Sequence, residues 1–319
     1  MADIKQEVES FILHCQHEKK LSNKTLSCYE IDLTQFQAFL KKENCLLCIE
    51  QIDKHILRRY LHSLTNFKPK TIKRKIATLK AFFNFMEFED RIVVNPFRKI
   101  RFQIKEPKRL PTVMTELEVK KIFNAVYSKR NIQESSTPFK WFETIRNIAV
   151  IELLFATGVR VSELSNLSLD NIDLQTGYIK VIGKGNKERV IQICNKEMVS
   201  VVVQYSNLAI RFRDISTNSF FVNRLGKQLS EQSIRYIVKD LCKISELNKH
   251  ITPHVFRHSI ATLLLEQGVD IKYIQVLLGH SSIMTTQIYT HVNGEKQKSI
   301  LTDKHPRKNF SMCVADIVI

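Results

Sequence analysis

The sequence lacks the features that mark membrane-spanning and exported proteins. It contains no run of about 18 apolar residues, the minimum that a membrane-spanning helix needs. Its first residues, MADIKQEVES, are polar and have no apolar core of the kind found in signal peptides. We therefore expect a protein that has no membrane segment and stays in the cytoplasm.

The sequence also lacks a pattern of cysteines and histidines that would bind a metal. The chain has seven cysteines, an odd and scattered set, which favours reduced thiols over disulfides. Cys45 and Cys48 form one CxxC pair, but no second CxxC and no HxxxH motif follows. Because a zinc site normally needs a second pair of ligands at a defined spacing, we predict no metal site.

Positive charge is what the chain has in excess. Its 319 residues contain 49 Lys and Arg against 32 Asp and Glu, a formal net charge of +17. The length is sufficient for two domains, and a hydrophobic content of 44% is typical of a folded protein. A protein this basic usually binds a polyanion, so nucleic acid is the first candidate partner and an anionic membrane surface is the alternative.

The first hundred residues have the apolar periodicity of four helices. Helical spacing runs from Ile4 to Cys15, begins again after Ser22, and returns near residues 53–64 and 69–89, where Pro69 suits a first helical turn. Short connections between these segments predict a four-helix bundle.

The fourth of these helices carries a basic face. Lys70, Lys73 and Arg74 lie opposite its apolar stripe. Such a face is commonly just solvated, but in a chain of this charge it can also contact phosphates. We therefore name these three residues as candidate DNA-binding residues.

A change in composition marks the end of the first domain. The stretch KEPKRLP, residues 105–111, has two prolines and three basic residues, which is typical of a linker. Thr115 and Glu118 then form a capping box that starts a new helix. We predict a first domain over residues 1–104, a linker over 105–114 and a second domain over 115–319.

The second domain is predicted to be mostly helical with a small antiparallel sheet. Residues 177–182 and 189–193 are rich in β-branched side chains and flank a turn of Gly, Lys and Asn, which indicates a β-hairpin. Residues 128–142 are polar and irregular, and we expect a surface loop there. The predicted fold class is mainly α, with a helical bundle followed by a mixed α+β domain.

Four segments of this domain carry candidate catalytic residues. Arg160 follows Gly158, which can end an apolar helix, and Lys184 stands in the hairpin turn. His254 and Arg257 are three residues apart on one face of a helix that begins at Thr252-Pro253. His280 follows a Leu-Leu-Gly sequence, and Tyr289 lies nine residues further on.

Each of these residues alone has an ordinary structural explanation, but the combination suits phosphodiester transfer. Two arginines can bind the nonbridging phosphate oxygens as charge develops. A tyrosine can attack phosphorus to form a covalent ester, and a lysine can protonate the leaving 5′ oxygen. Histidines can act as a base or as hydrogen-bond donors to the phosphate.

These segments, in this order, resemble the tyrosine recombinases, the family of phage-integrase and Xer-type enzymes. ATGVRVSELSNL resembles the first arginine box of that family, and VIGKGNKERV resembles its β-hairpin lysine segment. HVFRHSIATLLLEQGVDIKYIQVLLGHSSIMTTQIYTHV resembles the second box. The predicted N-terminal bundle resembles the family's core-binding domain, so the resemblance covers about residues 8–292.

The resemblance implies a role for each of the six candidate residues. Arg160 and Arg257 would bind the scissile phosphate, and Tyr289 would attack it and remain joined to the 3′ phosphate. Lys184 would be the general acid, with Lys187 as a nearby alternative that the sequence leaves open.

The two histidines and a nearby carboxylate complete the implied site. His254 would act as a base or phosphate ligand, and His280 would be a second hydrogen-bond donor. Glu163 would support the arginine region.

The resemblance also implies how such a protein works on DNA. Four protomers would act on two double-stranded DNA sites, no cofactor would be needed because the covalent ester conserves bond energy, and accessory DNA-bending or directionality factors could take part. Residues after Gly294 match no pattern that we can assign. Integration of a mobile element and resolution of chromosome dimers both fit, and type IB topoisomerase-like relaxation or DNA binding without catalysis are the alternatives.

Overall fold

A computed structural model describes residues 3–43, 49–104, 111–133, 137–183, 186–279, 294–309 and 312. The chain divides into two compact units, Met1–Arg109 and Leu110–Ile319. Within the described ranges, no helix is both long enough and apolar enough to cross a bilayer. The predicted linker falls mostly outside the described residues and stays a prediction.

The N-terminal unit is helical, and the predicted bundle is confirmed. Its described helices are α1 (Ile4–His17), α2 (Asn23–Lys42), α3 (Lys54–Ser63) and α4 (Pro69–Phe88). A short 3-10 segment lies between α2 and α3, at Ile49–Gln51, and another follows α4, at Pro96–Lys99. Every predicted helix appears with bounds that differ by only a few residues, because the apolar stripes face one core.

Local capping and aromatic packing explain why this bundle forms. The Ser22 side chain accepts from the Thr25 amide, and the Asp53 carboxylate accepts from the amides of His55 and Ile56. In the core, the rings of Phe11 and Phe82 pack edge to face with centroids 5.5 Å apart.

The same bundle also buries a charged network. Asp32 is 1% exposed and accepts from Lys75 at 3.1 Å, Thr78 at 3.0 Å and Arg74 at 2.5 Å. Lys75 is equally buried and also contacts Gln35. Because a buried carboxylate needs such partners, this network ties α2 to α4 and fixes their register.

The C-terminal unit is mostly helical with a small sheet, as predicted. Its described helices are α5 (Glu116–Gln133), α6 (Pro138–Thr157), α7 (Val161–Ser165), α8 (Lys196–Ala209), α9 (Glu231–Ile244), α10 (Pro253–Glu266), α11 (Ile271–Leu278) and α12 (Gly294–Asp303). Short 3-10 segments lie at Leu169–Asn171 and Pro306–Asn309.

Helix α6 is the centre of this unit, and it corrects the prediction of a loop over residues 128–142. The end of α5 and the first turn of α6 occupy most of that stretch. Thr137 accepts from the Lys140 amide and Pro138 takes the first helical position, so a capping signal was present in the sequence. Phe142 is fully buried, which is why tertiary packing favours the helix.

The sheet contains the predicted hairpin. Strands β2 (Tyr178–Ile182) and β3 (Glu188–Gln192) pair antiparallel, with Ile179 opposite Ile191. A two-residue strand, β1 (Ile172–Asp173), adds to the outer edge of β2 and was not predicted. The buried face of the hairpin, which includes Ile179, Val181 and Ile191, lies on the core.

The predicted capping box is confirmed as well. The Thr115 amide donates to the Glu118 carboxylate at 2.8 Å, and the Glu118 amide donates to the Thr115 hydroxyl at 3.3 Å.

The segment after α12 packs on its own unit through a second buried charged network. Arg307 is 1% exposed and donates to the carboxylate of Glu152 at 2.9–3.3 Å and to Glu197 at 2.9 Å. The Tyr127 hydroxyl donates to Glu152 at 2.7 Å. We call Glu152, Arg307, Tyr127 and Glu197 the Glu152 cluster. It joins α5, α6 and α8 to residues that follow Gly294, for which the sequence showed no pattern.

Candidate active site

The loop between α6 and α7 brings Arg160 to the site. Gly158 ends α6 in the left-handed conformation, φ 59°, and a Cβ there would lie 2.5 Å from Cδ2 of Leu278. Arg160 then stands at the N-terminus of α7. The Glu163 carboxylate accepts from the Arg160 amide at 2.7 Å and from its Nη1 at 2.6 Å, while Nη2 donates to the Gly279 carbonyl at 3.1 Å.

Arg257 reaches the same two segments from α10. Its side chain is buried, Nη1 donates to the Gly158 carbonyl at 2.8 Å, and Nη2 donates to the Leu278 carbonyl at 2.5 Å. The two predicted arginines therefore bind adjacent carbonyls at the end of α11. Each Nη atom carries two N–H groups, so one carbonyl contact per nitrogen does not exhaust its donors.

A third arginine, Arg189 in β3, belongs to this site and was not predicted. Its Nη1 and Nη2 donate to the two oxygens of Glu163 at 3.0 and 2.7 Å. Its Nε donates to the Leu277 carbonyl at 3.0 Å. The motif that pointed to Lys184 also contains Arg189, but its partners lie far away in the sequence.

These four residues, Arg160, Arg189, Arg257 and Glu163, form what we call the Glu163 cluster. Although burial alone would raise the pKa of Glu163, hydrogen bonds from Arg189 and Arg160 lower it to about 2, so the carboxylate is ionised. Burial, together with the charges of Arg160 and Arg189, lowers the pKa of Arg257 to about 10, which leaves it protonated at neutral pH. One carboxylate facing three guanidinium groups leaves a surplus of positive charge suited to an anion.

His254 lies in the first turn of α10 and is exposed. Burial of part of the ring and the nearby charges of His258, Arg257, Arg235 and Arg160 lower the pKa of His254. The imidazole is therefore neutral at neutral pH and able to accept a proton or to donate one hydrogen bond. Thr252 occupies the predicted cap position, but its side chain makes no capping hydrogen bond.

Three of the six predicted catalytic residues, Lys184, His280 and Tyr289, lie outside the described residues, so their roles stay predictions. The structure does describe residues next to Lys184 and His280. The Gly183 amide donates to the Lys187 carbonyl at 2.8 Å at the root of the hairpin turn, and Gly279 ends α11 with φ 65°. Lys187 is exposed, and its side chain remains the alternative to Lys184.

The three candidate DNA-binding residues of the N-terminal unit differ from one another. Lys70 and Lys73 are exposed on α4. Arg74 is paired with the buried Asp32 at 2.5 Å, with 40% of its side chain exposed. Part of its charge is therefore committed to the fold of the bundle.

Within the described residues, no group of three or more His, Cys, Asp or Glu side chains could hold a metal ion. Cys45 and Cys48 lie outside them.

Two family models match the sequence, and together they cover most of it. Residues 112–296 match the model described as the phage integrase family. Residues 8–89 match the model of the phage integrase N-terminal SAM-like domain.

Curated proteins and solved structures show the same likeness. A tyrosine recombinase of Agathobacter rectalis is 40% identical over 311 residues, which cover 97% of this chain and 99% of the relative. Tyrosine recombinase XerC of Staphylococcus carnosus is 35% identical over 304 residues, with coverage of 94% and 97%. The crystal structure of XerH bound to difH substrate, a pre-cleavage complex, is 21% identical, covers 92% of this chain and 83% of that one, and shares the fold with a TM-score of 0.66.

Proposed function

This chain belongs to the phage integrase family, the tyrosine recombinases, and we propose that its Tyr289 cuts and rejoins duplex DNA at a specific site through a 3′-phosphotyrosine. The observation that carries the proposal is the meeting of Arg160 and Arg257 at the end of α11. Both arginines bind adjacent carbonyls there, and the Glu163 cluster holds more positive than negative charge.

The arginines bind the scissile phosphate in this proposal. Carbonyl and carboxylate contacts hold both guanidinium groups in fixed orientations, so little reorganisation is needed when charge develops on the nonbridging oxygens. Two charge-assisted contacts of this kind stabilise the pentavalent transition state more than the ground state, which is what accelerates the reaction.

Proton transfers occur on either side of the phosphorus. The Tyr289 oxygen attacks, its proton passes to a base for which the neutral His254 is the described candidate, and the bond to the 5′ oxygen breaks. Lys184 donates a proton to that leaving oxygen, which ends as a free hydroxyl. His280 donates a hydrogen bond to the phosphate.

The covalent ester explains why the proposal needs no cofactor. Cleavage exchanges one phosphodiester for another, so the reverse attack by a 5′ hydroxyl reseals DNA without ATP or a metal ion. When that hydroxyl comes from a second duplex, the same step exchanges strands.

The partners follow from the reaction. Strand exchange between two duplex sites requires a tyrosine for each of four strands, which four protomers supply. The exposed Lys70 and Lys73 on α4 add phosphate contacts. Accessory DNA-bending or directionality factors can bias the outcome, and we propose the cytoplasm as the site of action.

Covalent capture in cells tests the proposal. We would express wild type, Tyr289→Phe and the control Tyr236→Phe, which alters an exposed tyrosine of α9, then denature the cells rapidly and sequence DNA attached to the purified protein. We expect attached DNA at one defined locus for wild type and Tyr236→Phe, and none for Tyr289→Phe.

The captured locus also separates the uses that the family allows. DNA at the end of an element that carries this gene indicates an integrase, whereas a single chromosomal site elsewhere indicates dimer resolution. Adducts scattered without sequence preference indicate a topoisomerase-like activity. If no variant retains DNA, even with the DNA that flanks its own gene supplied, while noncovalent binding is strong, the chain binds DNA without cutting it.

A further inference from the structure

Arg189 joins three parts of the candidate site. Its side chain is 12% exposed, and each of its three nitrogen atoms has a protein acceptor. The two contacts with Glu163 form a bidentate pair, and the contact of Nε with the Leu277 carbonyl holds the remaining side of the guanidinium group. A guanidinium held in this way is fixed in plane and position.

One of these parts is the root of the hairpin turn. A Cβ on Gly183 would lie 3.4 Å from Oε1 of Glu163 and 3.7 Å from Nη1 of Arg189, so the Glu163–Arg189 pair is the surface on which the root of the turn packs. Lys184 is the next residue along the chain.

The other two parts are the end of α11 and Arg160. A Cβ on Gly279 would lie 3.0–3.3 Å from the guanidinium of Arg189, and Gly279 immediately precedes His280. The Glu163 carboxylate accepts from Nη1 of Arg160 at 2.6 Å and from Nη2 of Arg189 at 2.7 Å, so it links the two arginines.

Arg189 has the wrong surroundings for a phosphate ligand of its own. All three of its side-chain nitrogens donate to Glu163 or Leu277, whereas the described contacts of the Arg160 and Arg257 guanidinium groups use only Nη1 and Nη2. Removing it would therefore act on the phosphate only through other residues.

We propose that Arg189 is a positioning residue that sets the hairpin turn, and with it Lys184, relative to the phosphate bound by Arg160. This inference rests on the proposed function. It adds that the general acid depends on a bidentate contact between β3 and Glu163, which a lysine at position 189 cannot make because an ammonium group is a point donor.

A chemical bypass distinguishes this role from a purely structural one. In the captured DNA sequence, sulfur can replace the bridging 5′ oxygen at the cleaved phosphodiester. A thiolate is stable near neutral pH and leaves without a proton, whereas an alkoxide does not. Loss of the general acid, or its misplacement, should therefore matter on the oxygen substrate and much less on the sulfur substrate.

The variants are Lys184→Ala, Arg189→Lys and the control Lys180→Ala, which breaks the exposed hairpin pair between Lys180 and Glu188 at 2.9 Å. Single-turnover cleavage would be measured with saturating protein, so that DNA affinity does not enter. We expect Lys184→Ala to cleave the oxygen substrate about 10²- to 10⁴-fold more slowly. We expect Arg189→Lys to be slowed about 10- to 100-fold, as for a misplaced catalytic group.

On the sulfur substrate, we expect both variants to come within about tenfold of wild type, and Lys180→Ala to match wild type on both substrates. If Lys184→Ala is equally slow on both substrates, the general-acid role in the proposed function is wrong. If Lys184→Ala is rescued while Arg189→Lys stays equally slow on both, or shows no defect on either, the positioning role is wrong and the proposed function stands.

The urea midpoint of each variant checks that it folds. Should Arg189→Lys be unfolded, Arg189→Gln makes the same test without an added charge, since its amide can still donate to Glu163 or Leu277. Rescue of Arg189→Gln by sulfur supports the inference, and equal slowing on both substrates overturns it.

Discussion

Two buried glutamates of the C-terminal unit, Glu152 and Glu163, each bind arginine, and their surroundings differ in how charge is balanced. Glu152 is fully buried and its partner Arg307 also binds Glu197, so positive charge does not exceed negative charge in the Glu152 cluster. Glu163 faces Arg160, Arg189 and Arg257 with no second carboxylate among their contacts in the described residues.

The difference separates a group that stabilises the fold from one that is prepared for a ligand. In the Glu152 cluster the charged side chains pair with one another. Removing one of them leaves an uncompensated charge in the interior. Burial first, and then repulsion from Arg160 and Arg189, lowers the pKa of Arg257, so the cluster is held against its own surplus charge. A phosphate that binds there relieves the repulsion. The comparison predicts that mutations in the two clusters will have opposite signatures.

The largest expected effect on stability is at the balanced cluster. Arg307→Leu leaves Glu152 buried without its cation, and we expect the free energy of unfolding to fall by about 3–5 kcal/mol. Urea denaturation followed by the fluorescence of Trp141, the chain's single tryptophan and part of α6, measures it.

A second substitution is the control for this prediction. Adding Glu152→Gln to Arg307→Leu removes the orphaned charge, so we expect it to restore part of the loss. A loss below about 1 kcal/mol for Arg307→Leu alone would mean that the network does not anchor the segment after α12.

The opposite signature is expected at the surplus cluster. Arg160→Ala should slow DNA cleavage about 10²- to 10³-fold, as when one preorganised donor to a developing anion is removed. We expect its free energy of unfolding to change by less than about 1 kcal/mol, since Glu163 keeps its bidentate contact with Arg189 and a repulsive charge is lost. Single-turnover cleavage and urea denaturation give the two values, and a stability loss equal to that of Arg307→Leu would remove the distinction between the clusters.

Local signals in the sequence were sufficient for most of the helices, whereas the roles of Arg160 and Arg257 rest on the family resemblance and stay predictions. Apolar periodicity and caps such as Ser22 and Asp53 depend on residues a few positions apart, which a sequence displays directly. The prediction of a loop at residues 128–142 was wrong because a local signal was overlooked. Thr137-Pro138 has the same cap pattern as Thr252-Pro253, and only the second was recognised.

The charged clusters could not be predicted because their partners are distant in sequence. Arg189 lies 26 residues from Glu163, and Arg307 lies 155 residues from Glu152. No periodicity connects such positions, and pairing depends on how helices and strands pack. The same reason applies to the pairing of Arg74 with Asp32 across the bundle, while the expected contact of Arg74 with phosphate stays a prediction.

The pH dependence of stability should also separate the clusters. His305 adjoins the Glu152 cluster, since its Nδ1 accepts from the Arg307 amide at 3.0 Å. Burial first, and then the charge of Arg307, lowers the pKa of His305 from its ordinary 6.5 to about 4, so the unfolded chain takes up that proton at higher pH than the folded one. Stability is therefore lost as the pH falls from about 6.5 to about 4. Glu163 has a folded pKa of about 2 against an ordinary 4.5, so its contribution is present above about 4.5 and is lost as the pH falls to about 2.

Each of these pKa shifts corresponds to about 3–4 kcal/mol. Urea denaturation as a function of pH for His305→Asn and Glu163→Gln measures them. We expect His305→Asn to flatten the curve in the upper window alone and Glu163→Gln in the lower window alone. If His305→Asn flattened the lower pH window and Glu163→Gln the upper one, the assignment of these two titrations to His305 and Glu163 would be wrong.

The smallest expected effect extends the comparison to the N-terminal unit. Lys70 is exposed, whereas Arg74 shares Asp32 with the buried Lys75. Lys70→Ala should lower the slope of log affinity against log salt for duplex DNA by about 0.9, the value for one phosphate contact. Arg74→Ala should lower it by less, because its charge is partly neutralised within the fold. Fluorescence anisotropy with a labelled duplex at several salt concentrations measures both slopes, and an equal change in both would mean that pairing with Asp32 does not keep Arg74 from the DNA.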